Sequence, residues 1–335
     1  CDIIKVGYMG ENMATKVSEN SKSKTTKSTT SKTSATKATT SKTASKKSTT
    51  TPKTSTTSKS NSTVKSSTAK KEVKSAVYNE DSILHLDGLE HIRLRPGMYI
   101  GSLGDGSNEN DGIYILLKEG IDNSVDEFSQ GFGKKIDIEI KDGRVKIRDY
   151  GRGIPLGKLE DCVSNVNTGA KYNNSVFKQA IGMNGVGIKA TNALSSYFRA
   201  ASIRDGKMAV VEFKKGEKIS SKIGNAKPNV PNGTYLEFEP DTELFGKYLY
   251  NMEYVEKRLW NYAYLNPGLC IKCNGKEYLS EKGIEDLLIN EMGNKTKPLY
   301  PIFNYTGENI QFVLTHTASL DKYVYSFVNG QSTED

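Results

Sequence analysis

The sequence predicts an α+β sandwich, with helices on a mixed, mostly antiparallel sheet, preceded by a disordered tail over residues 1–77. Three observations predict it. Residues 112–130 place Leu117, Ile121, Val125 and Phe128 on one face at helical spacing. Residues 136–140 and 144–148 alternate apolar and polar side chains on either side of Lys141-Asp-Gly143, the pattern of a β-hairpin. Residues 21–71 hold 13 Lys and no Arg, Asp or Glu among Ser, Thr and Ala, which cannot build a core.

The remaining elements follow in order. Residues 209–213 and 234–238 alternate as strands, residues 251–263 carry helical periodicity, and residues 269–273 read as a further strand. Residues 309–316 and 323–328 read as a second hairpin that opens a new unit over 296–335, after a domain over 78–295. No internal repeat is evident.

Charge locates the basicity of the chain. Its net charge is +8, but without the 13 tail lysines 34 basic residues face 39 acidic ones, leaving −5. The basic pI therefore belongs to the tail, which excludes a basic folded surface as the reason for it. The tail itself is open to two readings, a solvated solubilising arm or a polycation drawn to DNA phosphates by counterion release.

No stretch approaches the roughly 18 consecutive apolar residues of a membrane span, and the N-terminus lacks the charged-then-apolar order of a signal peptide. The chain reads as soluble and cytoplasmic. Four cysteines, Cys1, Cys162, Cys270 and Cys273, are too scattered for a disulfide framework. Cys270 and Cys273 fall in one strand, where residues three apart point to opposite faces, and no second ligand pair accompanies them, so zinc is not expected. The start at Cys1, with Met13-Ala-Thr-Lys behind it, gives the expectation that residues 1–12 are upstream sequence read in frame.

Four elements could carry chemistry. On the 112–130 helix, Glu119, Asn123 and Asp126 converge opposite the apolar stripe. They fit either a solvated surface or a site where an amide oxygen holds Mg²⁺ and a carboxylate takes a proton from water. Asp149-Tyr-Gly151-Arg-Gly153-Ile-Pro155 puts a carboxylate and two glycines at a strand end, a plain turn or a place for an exocyclic amine. Gly182-Met-Asn-Gly185-Val-Gly187-Ile-Lys189 precedes a helix and exposes backbone N–H groups to an anion. It matches neither a Walker loop nor a dinucleotide fingerprint. Lys171 and Lys178 lie just upstream, either solvated or within reach of phosphate. Gly233-Thr234 opens the fourth element, and its hydroxyl could complete an amine-binding site.

In this order and spacing, the four elements resemble the GHKL (Bergerat) ATPase superfamily shared by gyrase, the heat-shock chaperone of that class, histidine kinases and MutL. Leu86-Asp-Gly-Leu-Glu90, Arg95-Pro-Gly-Met-Tyr-Ile-Gly101, and the stretches 119–127, 149–155 and 182–195 narrow the resemblance to B subunits of bacterial type IIA DNA topoisomerases, gyrase or topoisomerase IV. It covers residues 78–330, and the Arg-Pro-Gly-Met-Tyr-Ile-Gly run is not shared with the chaperones or kinases. Met183-Asn184 and Lys189 lean towards topoisomerase IV.

The resemblance implies ATP and Mg²⁺ as cofactors. Glu119 would be the general base, Asn123 the Mg²⁺ ligand and Asp149, with Thr234, the adenine partner, with Asp126, Gly151 and Gly153 in the same pocket. Arg152 would pair with Glu127 at the rim beside Pro155, where aminocoumarin-type inhibitors bind in this family; Arg204 matches another such position. Gly182, Met183, Asn184, Gly185, Val186, Gly187, Ile188 and Lys189 would wrap the triphosphate with Lys171 and Lys178, and Tyr78 would reach into a partner's site. ATP would close a dimer gate for DNA strand passage, relaxing or decatenating DNA with the A subunit in an A2B2 assembly at the nucleoid, and an α/β transducer domain would begin at 296.

Three departures stand out: the long tail, Gly120 inside the catalytic helix, and an end at Asp335 before the transducer lysine that meets the γ-phosphate. The glycine costs about 1 kcal/mol against Ala and is expected to loosen the adenine pocket. The end gives the expectation of ATP binding with slow hydrolysis and no strand passage by this chain alone. The alternatives are a truncated remnant that only binds nucleotide, and another dimerising GHKL ATPase such as a MutL-like protein.

Overall fold

A computed structural model describes residues 3–9, 79–80, 83, 86–172, 181, 185–293, 296–307, 309–318, 323–328 and 330–333. Tyr78, Lys178, Gly182, Met183 and Asn184, like most of the expected tail, lie outside the described residues. The chain divides into two units, Cys1–Ser21 with Leu86–Asp335, and Lys22–His85. In the second, the Ile83 N–H donates to Glu80 O at 3.2 Å.

The first unit begins with β1 (Ile3–Met9), α1 (Gly88–Leu94), α2 (Gly97–Ile100), α3 (Gly112–Ser129), β2 (Lys135–Lys141), β3 (Arg144–Asp149), α4 (Leu159–Ser164) and α5 (Gly187–Ala193). It continues through β4 (Ser195–Arg204), β5 (Lys207–Lys214), β6 (Glu217–Asn225), β7 (Gly233–Pro240), α6 (Thr242–Phe245), α7 (Met252–Leu265), β8 (Cys270–Cys273) and β9 (Lys276–Tyr278). The last elements are α8 (Ile284–Met292), β10 (Phe303–Thr306), β11 (Ile310–His316), β12 (Val324–Val328) and β13 (Gln331–Ser332).

Among the described residues, the larger sheet has eight strands in the order β6-β5-β4-β7-β3-β2-β8-β9. Every neighbouring pair is antiparallel except β2 with β8, so the sheet is mixed and mostly antiparallel. The β2–β3 hairpin forms because Asp142 (φ 52°) and Gly143 (φ 79°) both adopt the left-handed turn conformation that matches strand twist. Alternation then buries Ile136, Ile138, Val145 and Ile147 on one face. Those side chains meet Leu117, Ile121 and Val125 of α3 in a single core that extends to Phe198, Phe238 and Leu259.

At Gly120 a built Cβ would lie 2.5 Å from Ile147 Cδ1, so the missing side chain lets the helix sit close to β3 and Ile147 fills the space. Gly120 and Ile147 both lie outside the lining of the cavity described below.

The smaller sheet runs β10-β11-β1-β12-β13. The hairpin expected from 309–316 and 323–328 does not form, because β1 lies between its strands, antiparallel to β11 and parallel to β12. β1 also places a strand inside the stretch expected to be a disordered tail. The segment Ile-Ile-Lys-Val-Gly-Tyr-Met has the β-branched and aromatic content that strands favour, and a short run at the chain's start gave no sign of a partner some 300 residues away. A second core joins Tyr264, Ile284, Leu287 and Leu288 to Val313 and Phe327, so it extends back across the border expected at residue 295.

Candidate active site

A cavity of about 400 Å³ opens between α3, the turn after β3, the start of α5 and the stretch from Thr168 to Tyr172. Its floor is Asp149, at the end of β3 and 5% exposed. The Gly151 and Thr234 backbone N–H groups donate to Asp149 Oδ1 at 2.9 and 3.0 Å. Oδ1 is thereby saturated and the orientation of the carboxylate fixed, leaving Oδ2 as the acceptor for a ligand. Burial holds the Asp149 carboxyl above its ordinary pKa, with the two N–H donors opposing. Thr234 lines the cavity, while Gly151 supports it from behind.

Glu119 and Asn123 lie one turn apart on α3, and both line the cavity. Burial first, then the charge of Asp122, raises the Glu119 pKa, while Lys118 and Lys171 oppose the shift. A carboxylate moved towards neutrality is a better proton acceptor from water. Asn123 Nδ2 donates to Glu119 O at 2.9 Å, so Oδ1 is the free end of the amide, and there it accepts from Lys171 Nζ at 2.8 Å. A hard oxygen that already binds a cation fits a Mg²⁺ ligand. Among the described residues no cluster of three His, Cys, Asp or Glu side chains could hold a metal.

Asp126, expected to share this face, is fully buried and lies outside the cavity lining. Its carboxylate pairs with Lys171 Nζ and accepts the Ile181 N–H at 2.7 Å. Asp126 thus holds Lys171 and the backbone at Ile181 and does not face the cavity.

Gly185, Val186, Gly187 and Ile188 line the opposite wall. A Cβ at Gly187 would overlap the Glu119 carboxylate, so only glycine lets this wall approach α3 so closely. Lys189 also lines the cavity but is 3% exposed, and its Nζ donates to Thr168 O at 2.6 Å. Burial lowers its pKa to about 8. Its ammonium holds the 168–172 stretch in place.

At the rim, Arg152 grips Glu127 through Nε (3.0 Å) and Nη2 (2.9 Å), its backbone N–H donates to the same carboxylate at 3.0 Å, and its guanidinium covers the Phe132 ring at 4.4 Å. Such a two-pronged pair resists rotation. Gly153 and Pro155 line the cavity beside it, Arg204 Nη1 donates to Gly153 O at 3.3 Å, and Ser202 Oγ donates to Ile154 O at 2.6 Å.

Sequence reasoning missed Asp122, which is 1% exposed. Lys118 Nζ donates to its Oδ2 at 2.5 Å and Tyr262 Oη donates to its Oδ1, bolting α3 to α7. An acid beside Asn123 was the available signal, but its tyrosine partner is 140 positions away. Cys162 and Gln331 also reach the lining.

A family model described as histidine kinase-, DNA gyrase B-, and HSP90-like ATPase matches residues 108–242. The chain is 48% identical over 263 residues to the B subunit of DNA topoisomerase 4 from Borreliella burgdorferi, covering 78% of this chain and 43% of that protein. It is 33% identical over 288 residues to the Streptococcus pneumoniae protein of the same name, covering 80% and 43%. The chain thus spans less than half the length of these relatives. The crystal structure of the 43K ATPase domain of Thermus thermophilus gyrase B, in complex with an aminocoumarin, aligns with TM-score 0.60 at 26% identity, covering 74% of this chain and 67% of that one.

Proposed function

Because the chain belongs to the histidine kinase-, DNA gyrase B- and HSP90-like ATPases, and among them to the B subunits of type IIA topoisomerases, we propose that this cavity binds ATP and hydrolyses it to drive a gate for DNA strand passage. The observation that carries the reading is the pairing of one buried carboxylate, Asp149, locked by two backbone donors, with a second, Glu119, across the same cavity. Asp149 Oδ2 would accept from the exocyclic amine of adenine. The phosphates would then run towards Gly185, Val186 and Gly187.

Held through Asn123 Oδ1 with phosphate and water oxygens, Mg²⁺ would supply charge neutralisation at the phosphates. Glu119 takes the proton of a water as that oxygen bonds to the γ-phosphorus. The bond from γ-phosphorus to the bridging oxygen breaks, and ADP leaves with the electron pair. The close approach of Gly187 to Glu119 keeps bulk water off the base.

The partners that go with this reading are an A subunit in an A2B2 assembly, DNA, and a second copy of this domain that closes on ATP, in the cytoplasm at the nucleoid. Among the described residues no helix is long and apolar enough to cross a membrane. Calorimetry with a non-hydrolysable ATP analogue and Mg²⁺ tests the core of the proposal. Binding by the wild type that Asp149→Asn abolishes is expected; no binding by either chain would overturn it.

A further inference from the structure

Lys171 stands where a metal would be held. Its Nζ donates to Asn123 Oδ1 at 2.8 Å and pairs with the buried carboxylate of Asp126, and its side chain is only 17% exposed. The Asn123 amide is held from turning, because Nδ2 donates to Glu119 O on the preceding turn. Asp126 has no solvent to stabilise its charge, and its second oxygen is taken by the Ile181 N–H, so the ammonium is its cation. An ammonium and a divalent ion on one amide oxygen would repel each other at close range, and removing the ammonium strands a buried carboxylate, which is costly.

We propose that Lys171 is a positioning residue acting as a resident cation, which keeps Asn123 Oδ1 aimed into the cavity and bars a free divalent ion from it until nucleotide phosphates draw the ammonium away. Metal then enters with the nucleotide and not before it. The proposal rests on the reading of Asn123 as a metal ligand. It also gives Asp126 a role that its absence from the cavity lining leaves open: Asp126 is where the ammonium is parked, and the same carboxylate tethers Ile181 on the far side of the intervening stretch.

The test uses the full chain without nucleotide and Mn²⁺ alone as the probe, read by paramagnetic broadening of the Asn123 side-chain amide resonance. In the wild type the resonance is expected to survive millimolar Mn²⁺. In Lys171→Met it should broaden at about tenfold lower Mn²⁺, a coupling of ordinary size, and Lys171→Arg should behave as the wild type. Broadening of the wild-type resonance by Mn²⁺ alone overturns the proposal without any variant, and so does a folded Lys171→Met no more sensitive than the wild type. Failure of the ATP analogue to bind would remove the nucleotide reading while leaving the Mn²⁺ result standing, so the two failures are distinct.

Discussion

Glu119 and Gly187 face each other so closely that no side chain can stand at position 187: a Cβ there would fall on the carboxylate. Glu119 and the opposite wall are therefore set by one contact between α3 and α5. Gly187→Ala should force one of them back, at a cost of about 1–3 kcal/mol in stability. Thermal melting and analogue calorimetry on this variant should both show losses.

Burial works against ionisation of the Asp149 carboxyl. Burial raises its folded pKa, so the favourable contribution to folding exists below the unfolded pKa and is lost as pH rises through the folded value. Holding the carboxylate form in this buried place is therefore a cost to folding. Asp149→Asn should therefore melt no lower than the wild type at pH 7 while losing the nucleotide. Wild-type affinity should also fall on acidification at a higher pH than an ordinary carboxylate would give; calorimetry across pH 5 to 8 checks both.

Lys189 gives the opposite slope. Its folded pKa of about 8 is below the ordinary lysine value of 10.5, so the unfolded chain holds more protons between those pH values, and stability rises with pH there. The rise should approach about 1.4 kcal/mol per pH unit at most. Denaturation of wild type and Lys189→Met between pH 8 and 10 should show that slope only in the wild type.

At Gly120, helix propensity and packing oppose each other. Alanine would add about 1 kcal/mol of helix propensity, but its Cβ would press on the Ile147 side chain at 2.5 Å within a closed core. Packing should win. Gly120→Ala is expected to lower the melting temperature, and adding Ile147→Val should recover most of it.

What was legible in the sequence was local. α3 declared itself through Leu117, Ile121 and Val125, and the β2–β3 hairpin through Asp142-Gly143, because each needs only neighbours in sequence. β6 gave no signal: nearly all its residues are exposed, so no burial imposed alternation on it. Asp126 and Lys189 were singled out as site residues from the sequence, but their partners, Ile181 and Thr168, are set by how loops fold back. Ser202 and Tyr262 escaped notice for the same reason.

The strand from Ile3 to Met9 is paired along both edges, with β11 on one side and β12 on the other. Without it each of those strands would present an open row of N–H and C=O groups, the kind of edge on which another extended segment can add, so the place β1 fills is one that a separate peptide of the same sequence could take.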